Sequence, residues 1–160
     1  MNDILRALCG LGLAASLMAT IGARADAPTA AVEPGLAASP FGDELPWGPC
    51  PAFMPQGCQL AVLHGTPDRD NADVYFKVPA KSIIPLHRHS SPRRMILVAG
   101  EMRITYEGQE TMTLKPGHYA YAPAKHAHDG YCASRTSCIL FIAFESPLDP
   151  KPAVDAPAAE

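Results

Sequence analysis

Between residues 59 and 145 the chain is a near-regular succession of short runs with β character, each closed by Gly, Pro, Asp or Ser. No other feature of the 160 residues restricts the fold as much. The runs fall at 59–64, 72–78, 82–87, 95–99, 101–106, 111–114, 118–122, 126–132 and 138–145. Met102, Ile104 and Tyr106 alternate with Arg103 and Thr105, the period of a strand with one buried face. Tyr106-Glu107-Gly108-Gln109 fits a hairpin turn. No stretch offers three turns of amphipathic helix. Strands at this spacing make an all-β sandwich or barrel.

The flanks are of another kind, and many of the 17 prolines lie there. Residues 1–25 read as a secretory signal: Arg6 in a short n-region, an uncharged Leu/Ala-rich stretch over 7–22, then the small-x-small pattern Ala23-Arg24-Ala25. A buried N-terminal helix or a retained anchor is the rival reading. Cleavage after Ala25 removes Arg6, Arg24 and Asp3 and leaves 11 basic and 15 acidic residues, without a run of Lys or Arg. That charge balance excludes a nucleic-acid partner, whose phosphates need clustered basic groups. No later apolar segment is long enough to span a bilayer, so no stable membrane anchor is expected after cleavage. Four segments follow: the signal at 1–25, a flexible Ala/Pro-rich leader at 26–45, a barrel at 46–147, and a tail at 148–160 expected to be disordered.

Cys50, Cys58, Cys132 and Cys138 remain after cleavage, and an even count in an exported chain favours disulfides. Cys50–Cys58 and Cys132–Cys138 are the preferred pairs, because each brackets a short turn-like stretch. The second pair is expected to clamp a hairpin. Zinc is the rival, but neither spacing is C-x-x-C. The protein is therefore expected in the periplasm or secreted.

Four of the six histidines fall in two pairs, His87-Arg88-His89 and His126-Ala127-His128. On a strand, residues two apart project from the same face, so each H-x-H can offer two donors to one ion. Two such pairs in an all-β chain point to a single shared metal site.

These residues resemble the two motifs of the cupins, G-x5-H-x-H-x3-4-E-x6-G and G-x5-P-x-G-x2-H-x3-N. His87, His89 and Gly100 match the first motif, and Gly117, Pro123 and His128 match the second. The resemblance covers about residues 59 to 146. It implies a single-domain double-stranded β-helix, a jelly-roll barrel, with a metal in its mouth and homodimers in solution. Lys81 and Lys125 stand at motif glycines, and Cys132 at the closing Asn.

The most consequential departure is Arg93, at the place of the usual glutamate ligand, or Arg94 if the loop is one residue longer. Arginine stays protonated and is no ordinary ligand. The implied donor set is therefore His87, His89 and His128. A guanidinium about 7 Å from a divalent ion is repelled by several kcal/mol at a dielectric near 20, so something must offset it. A bound anion could bridge Arg93 and the metal. An internal carboxylate such as Glu101, Asp129 or Glu145 could pair with Arg93. Or Arg93 could turn outwards. The frequency of surface arginine pairs puts the two structural readings slightly ahead of the anion.

His126 shares parity with His128 and is a candidate fourth ligand, supporting group or general base; a plain loop histidine is the alternative, slightly preferred. His118 is expected on an outer face, His64 as a half-buried structural residue, and Met95 and Leu97 in the interior. Tyr119, Tyr121 and Tyr131 are read as packing residues. Trp47 and Met54 are placed across a barrel opening or a partner. The three-His set resembles that of thiol, diketone and gentisate dioxygenases. It implies a divalent transition metal, iron first, with Mn, Ni, Cu or Zn as alternatives. The expected function is oxygen-dependent oxidation of a small anionic molecule, with Arg93 anchoring the anion and His126 moving a proton. A non-catalytic cupin that binds a metal or small ligand is the second hypothesis.

Overall fold

Alternation of buried and exposed residues decides the architecture. In β3 (Ala72–Val78), Ala72, Val74, Phe76 and Val78 are buried while Asp73, Tyr75 and Lys77 are half-buried. The same period runs through β5 (Arg93–Ala99), where Arg93, Met95 and Leu97 are buried, and β6 (Met102–Tyr106), where Met102, Ile104 and Tyr106 are. Each strand thus has one inward face, and two sheets closing on each other bury both sets. The computed structural model describes residues 33–153; the signal at 1–25, the leader to residue 32 and the tail from 154 lie outside the described residues.

The other strands are β1 (Gly48–Pro49), β2 (Gln59–His64), β4 (Ile83–Arg88), β7 (Met112–Leu114), β8 (Tyr119–Ala122), β9 (His128–Cys132), β10 (Cys138–Phe144) and β11 (Lys151–Pro152). All pairings are antiparallel. One sheet has the order β1-β2-β3-β10-β5-β8 and the other β11-β4-β9-β6-β7. The core between them joins Val74, Phe76, Leu97 and Leu140 of the first sheet to Ile84, Met102 and Ile104 of the second. Among the described residues there is no helix, and none is therefore long and apolar enough to cross a membrane. This is the all-β jelly-roll barrel expected from the sequence.

Three boundaries differ from expectation with consequences for the site. β5 starts at Arg93 rather than at residue 95, so the arginine is fixed on the strand. β9 starts at His128, which leaves His126 in the preceding loop. The tail is not disordered from residue 148. Lys151 and Pro152 pair with Arg88 and His87 on β4, Leu148 N donates to Pro67 O, and Ala153 N donates to Leu86 O. Its composition suggested a solvated chain, but the open edge of β4 supplies backbone partners. Proline is tolerated in this outermost strand, where its missing N–H faces no partner.

Both expected disulfides, Cys50–Cys58 and Cys132–Cys138, are formed. The second does not clamp a hairpin, because β9 and β10 belong to different sheets. It staples the corner where the chain passes from one sheet to the other. Gly100 packs against this corner with φ +88°, and a Cβ there would lie 2.8 Å from Cys138 Sγ. Lys81 and Lys125, which stand at motif glycines, keep the glycine backbone with φ 60° and 63°.

Replacing Cys132 and Cys138 together by alanine is expected to lower stability by about 2 kcal/mol, because the cross-link restricts the unfolded chain. Urea unfolding of the wild type and the double variant checks this. Equal midpoints would show that the corner holds without its staple.

Candidate metal centre

Three strands converge to build the site. In register, Tyr106 of β6 lies opposite His128 of β9, and His128 lies opposite His87 of β4. These three form one inward row on the second sheet. His89 follows one residue beyond the end of β4. His87, His89 and His128 are 5%, 7% and 4% exposed, and one nitrogen from each falls within 4.8 Å of the others.

Backbone carbonyls orient two of the rings. His87 Nδ1 donates to Pro85 O at 2.8 Å and His128 Nδ1 donates to His126 O at 3.0 Å. A carbonyl only accepts, so the proton sits on Nδ1 and Nε2 keeps its lone pair. His89 Nδ1 is buried without a hydrogen-bond partner. Burial lowers the His87 pKa to about 4 and the His128 pKa to about 3, with the Arg93 charge adding to both shifts. Burial likewise drives His89 far below the usual imidazole range, again with Arg93 contributing. Three neutral, clustered imidazoles with lone pairs fit a divalent transition metal, for which imidazole is a preferred donor.

Arg93 faces them from the first sheet, only 3% exposed, with Ala122 and Phe144 as its lateral neighbours. Its Nη2 donates to His128 Nε2 at 2.5 Å, and its Nη1 has no partner. Burial pulls its pKa down to about 10, so the guanidinium is charged at neutral pH. Neither the outward orientation nor the expected carboxylate pairing is found among the described residues. Glu145 bonds Arg94, which points outwards, and Glu101 approaches Arg103 at 3.6 Å. Asp129 lies at the cavity, with no ion pair to Arg93.

His126 stands outside the cluster. Its Nε2 donates to Glu107 O at 2.9 Å and its ring centre lies 5.4 Å from that of Tyr106. Tyr106 was not distinguished in the sequence as a site residue. Its ring lies 5.1 Å from His128, its hydroxyl is buried without a partner, and burial raises its pKa against the pull of Arg93. Its parity with Met102 and Ile104 marks it as inward-facing, but only the register reveals that it neighbours His128.

The cavity over the cluster is small, about 60 Å³, and opens to solvent. Leu60, Phe76, Met95, Leu140 and Ile142 line it with carbon. Its lips are Pro51 and Met54 from the disulfide-closed loop, and Leu148 and Pro150 from the tail. Met54 thus lies across the opening as expected, whereas Trp47 stacks under Lys77 at 3.9 Å. His64 and His118 are exposed, as are Tyr119 and Tyr121 on β8, which do not pack inside.

Residues 41–147 match the ChrR cupin-like domain family. Among solved structures, the polyketide cyclase RemF from Streptomyces resistomycificus is similar with a TM-score of 0.61 at 17% identity, over 76% of this chain and 89% of that one. The DMSP lyase DddQ from Ruegeria pomeroyi DSS-3 has a TM-score of 0.59 at 20% identity, over 72% of this chain; the match spans 64% of the lyase. KdgF from Halomonas sp. has a TM-score of 0.54 at 23% identity, over 66% of this chain and 92% of that one. These likenesses establish a shared fold. No curated protein matches the chain in sequence.

The lowered histidine pKa values carry a stability consequence for metal-free protein. Below pH 6.5 the unfolded chain takes up protons that the native state refuses until about pH 4 at His87 and about pH 3 at His128. Stability is therefore full above pH 6.5 and falls as pH drops through that window, by up to about 1.4 kcal/mol per pH unit for each histidine. Urea unfolding at pH 7, 6 and 5 is expected to show this slope, reduced in His87→Gln. A flat profile would mean that the imidazoles are not held neutral.

Proposed function

The chain belongs to the ChrR cupin-like domain family, and on that premise we propose that it is an exported metalloprotein with an oxygen-dependent, dioxygenase-type activity on a small anionic molecule. The observation that carries this reading is the meeting, in one apolar cavity, of three neutral imidazoles with a buried guanidinium that no carboxylate among the described residues neutralises. His87, His89 and His128 would hold the metal, and three protein ligands leave coordination positions open. Iron is placed first because the three-His set resembles that of the dioxygenases; Mn, Ni, Cu or Zn are alternatives. When bound, the metal would supply Lewis acidity and, if iron, redox chemistry toward dioxygen.

The chain's own groups do the rest. Arg93 holds the anionic head of the ligand, since a guanidinium fork matches a carboxylate. The carbon-lined wall excludes water and strengthens that contact. His126 does not line the cavity, and as the proton-moving candidate it would act through Tyr106, whose ring lies 5.4 Å from its own. Two disulfides support export to the periplasm or beyond. A homodimer would pack on the apolar row Tyr75, Phe141, Ile96 and Tyr119, which runs side by side across the outer face of the first sheet.

One observation favours the second reading, a non-catalytic binding protein: Arg93 donates to the His128 nitrogen that a metal would need. The fold neighbours named as a lyase and a cyclase make non-oxidative chemistry the reading for a metal-loaded protein that consumes no oxygen.

Metal analysis of the exported chain, purified without a His tag or chelator, is expected to find about one transition-metal ion per chain, lost in His128→Ala with the barrel still folded. Absence of metal after anaerobic reconstitution would remove the three-His site. Oxygen uptake is expected with one or more members of a panel of small carboxylic acids and diketones. Metal-loaded protein with no uptake on that panel would exclude the oxidoreductase.

A further inference from the structure

Resting on the three-His reading, we propose that Arg93 couples two binding events, so that the metal and a monocarboxylate with an apolar body bind cooperatively. The juxtaposition that requires this is Arg93 Nη2 on His128 Nε2. His128 has already committed its Nδ1 proton to His126 O, so Nε2 offers a single lone pair. That lone pair cannot serve a guanidinium and a metal ion at once. A metal binding to all three imidazoles must displace the arginine.

Displacement leaves Arg93 worse off than before. Its side chain is 3% exposed, Nη1 already lacks a partner, and its neighbours on the sheet are Ala122 and Phe144. Losing His128 would leave both terminal nitrogens unsatisfied beside a divalent ion of the same sign. Buried donors without acceptors are costly, and charged ones more so.

A ligand that repairs this state needs two acceptor oxygens spaced for the guanidinium fork and a negative charge, which is the description of a carboxylate. Its remaining atoms would lie against Leu60, Phe76, Leu140 and Ile142, so a hydrocarbon body fits better than a second charge. By drawing Arg93 off His128, the carboxylate frees the lone pair for the metal. Linkage then makes the effect reciprocal, each ligand raising the affinity for the other by the same factor.

Calorimetric titration of the metal-free full chain with Co²⁺, with and without saturating butyrate at constant ionic strength balanced by chloride, tests the coupling. Butyrate is expected to tighten Co²⁺ binding by about tenfold or more, and Co²⁺ to tighten butyrate binding by the same factor. In Arg93→Met, Co²⁺ is expected to bind more tightly than in the wild type without butyrate, and butyrate to have no effect. Equal Co²⁺ affinity with and without butyrate in the wild type would overturn the coupling while leaving the metal site standing. Coupling that persists in Arg93→Met would overturn the role of Arg93, because the carboxylate would then be acting on the metal directly. Absence of Co²⁺ binding in every arm, including Arg93→Met, would overturn the three-His reading and the coupling with it.

Discussion

Arg93 carries a full charge into an apolar interior, between Ala122 and Phe144, and the chemistry of the cavity follows from how that charge is held. Removing an ion from water costs several kcal/mol even after the protein relaxes around it. Elsewhere on this barrel arginines meet carboxylates at the surface, as Arg94 does with Glu145. At Arg93 the acceptor is a neutral imidazole, itself kept neutral by burial and by the arginine's own field. The same contact stabilises the cation, favours the neutral form of His128 and occupies the lone pair that a metal ion would need.

The row Tyr106, His128 and His87 depends on strand register as much as on residue type. A slip of one residue in β9 would turn His128 outwards and bring Asp129 into the core. The cross-link between Cys132 and Cys138 sits at the far end of that strand, at the corner between sheets, and opposes such a slip. Lys125, held at φ 63° in the turn before β9, donates its N–H to His89 O at 2.7 Å. One backbone bond therefore ties the loop that leads to His128 to the residue carrying the third imidazole. The lips of the cavity are tied down in their turn, one by Cys50–Cys58 and the other by backbone pairing of the tail to β4.

Much of this was legible in the residues themselves. H-x-H twice in a chain of alternating strands points to a shared cluster, the motif resemblance narrows it to the three imidazoles that meet, and the parity of Met95 and Leu97 locates the interior of β5. What the sequence could not decide was Arg93, because position 93 follows a loop whose length settles whether 93 or 94 points inwards, and only the strand start resolves it. Order in the tail is hidden from the sequence for a different reason. Pro-rich composition describes what a segment cannot do for itself, whereas the ordered strand at Lys151–Pro152 arises from what the edge of β4 lacks. The place of Tyr106 beside His128 is hidden from the sequence because cross-strand neighbours are set by register.

In the motif that this barrel resembles, a glutamate stands where Arg93 does. With a divalent ion bound, three imidazoles and a carboxylate leave a site of charge +1, whereas three imidazoles and a guanidinium leave +3. That change of two units, in a cavity walled mainly by Leu, Ile, Met and Phe with Asp129 as its lining carboxylate, is too large for the scaffold to ignore. A site of charge +1 can tolerate neutral ligands, with the glutamate completing the coordination. A site of charge +3 with an open coordination position selects for anions, and selects hardest for those that reach the guanidinium and the metal together. On the proposed reading, substitution at one inward position of β5 would shift the choice of ligand without moving a strand, and the unpaired Arg93 Nη1 would be the donor left for that ligand to use.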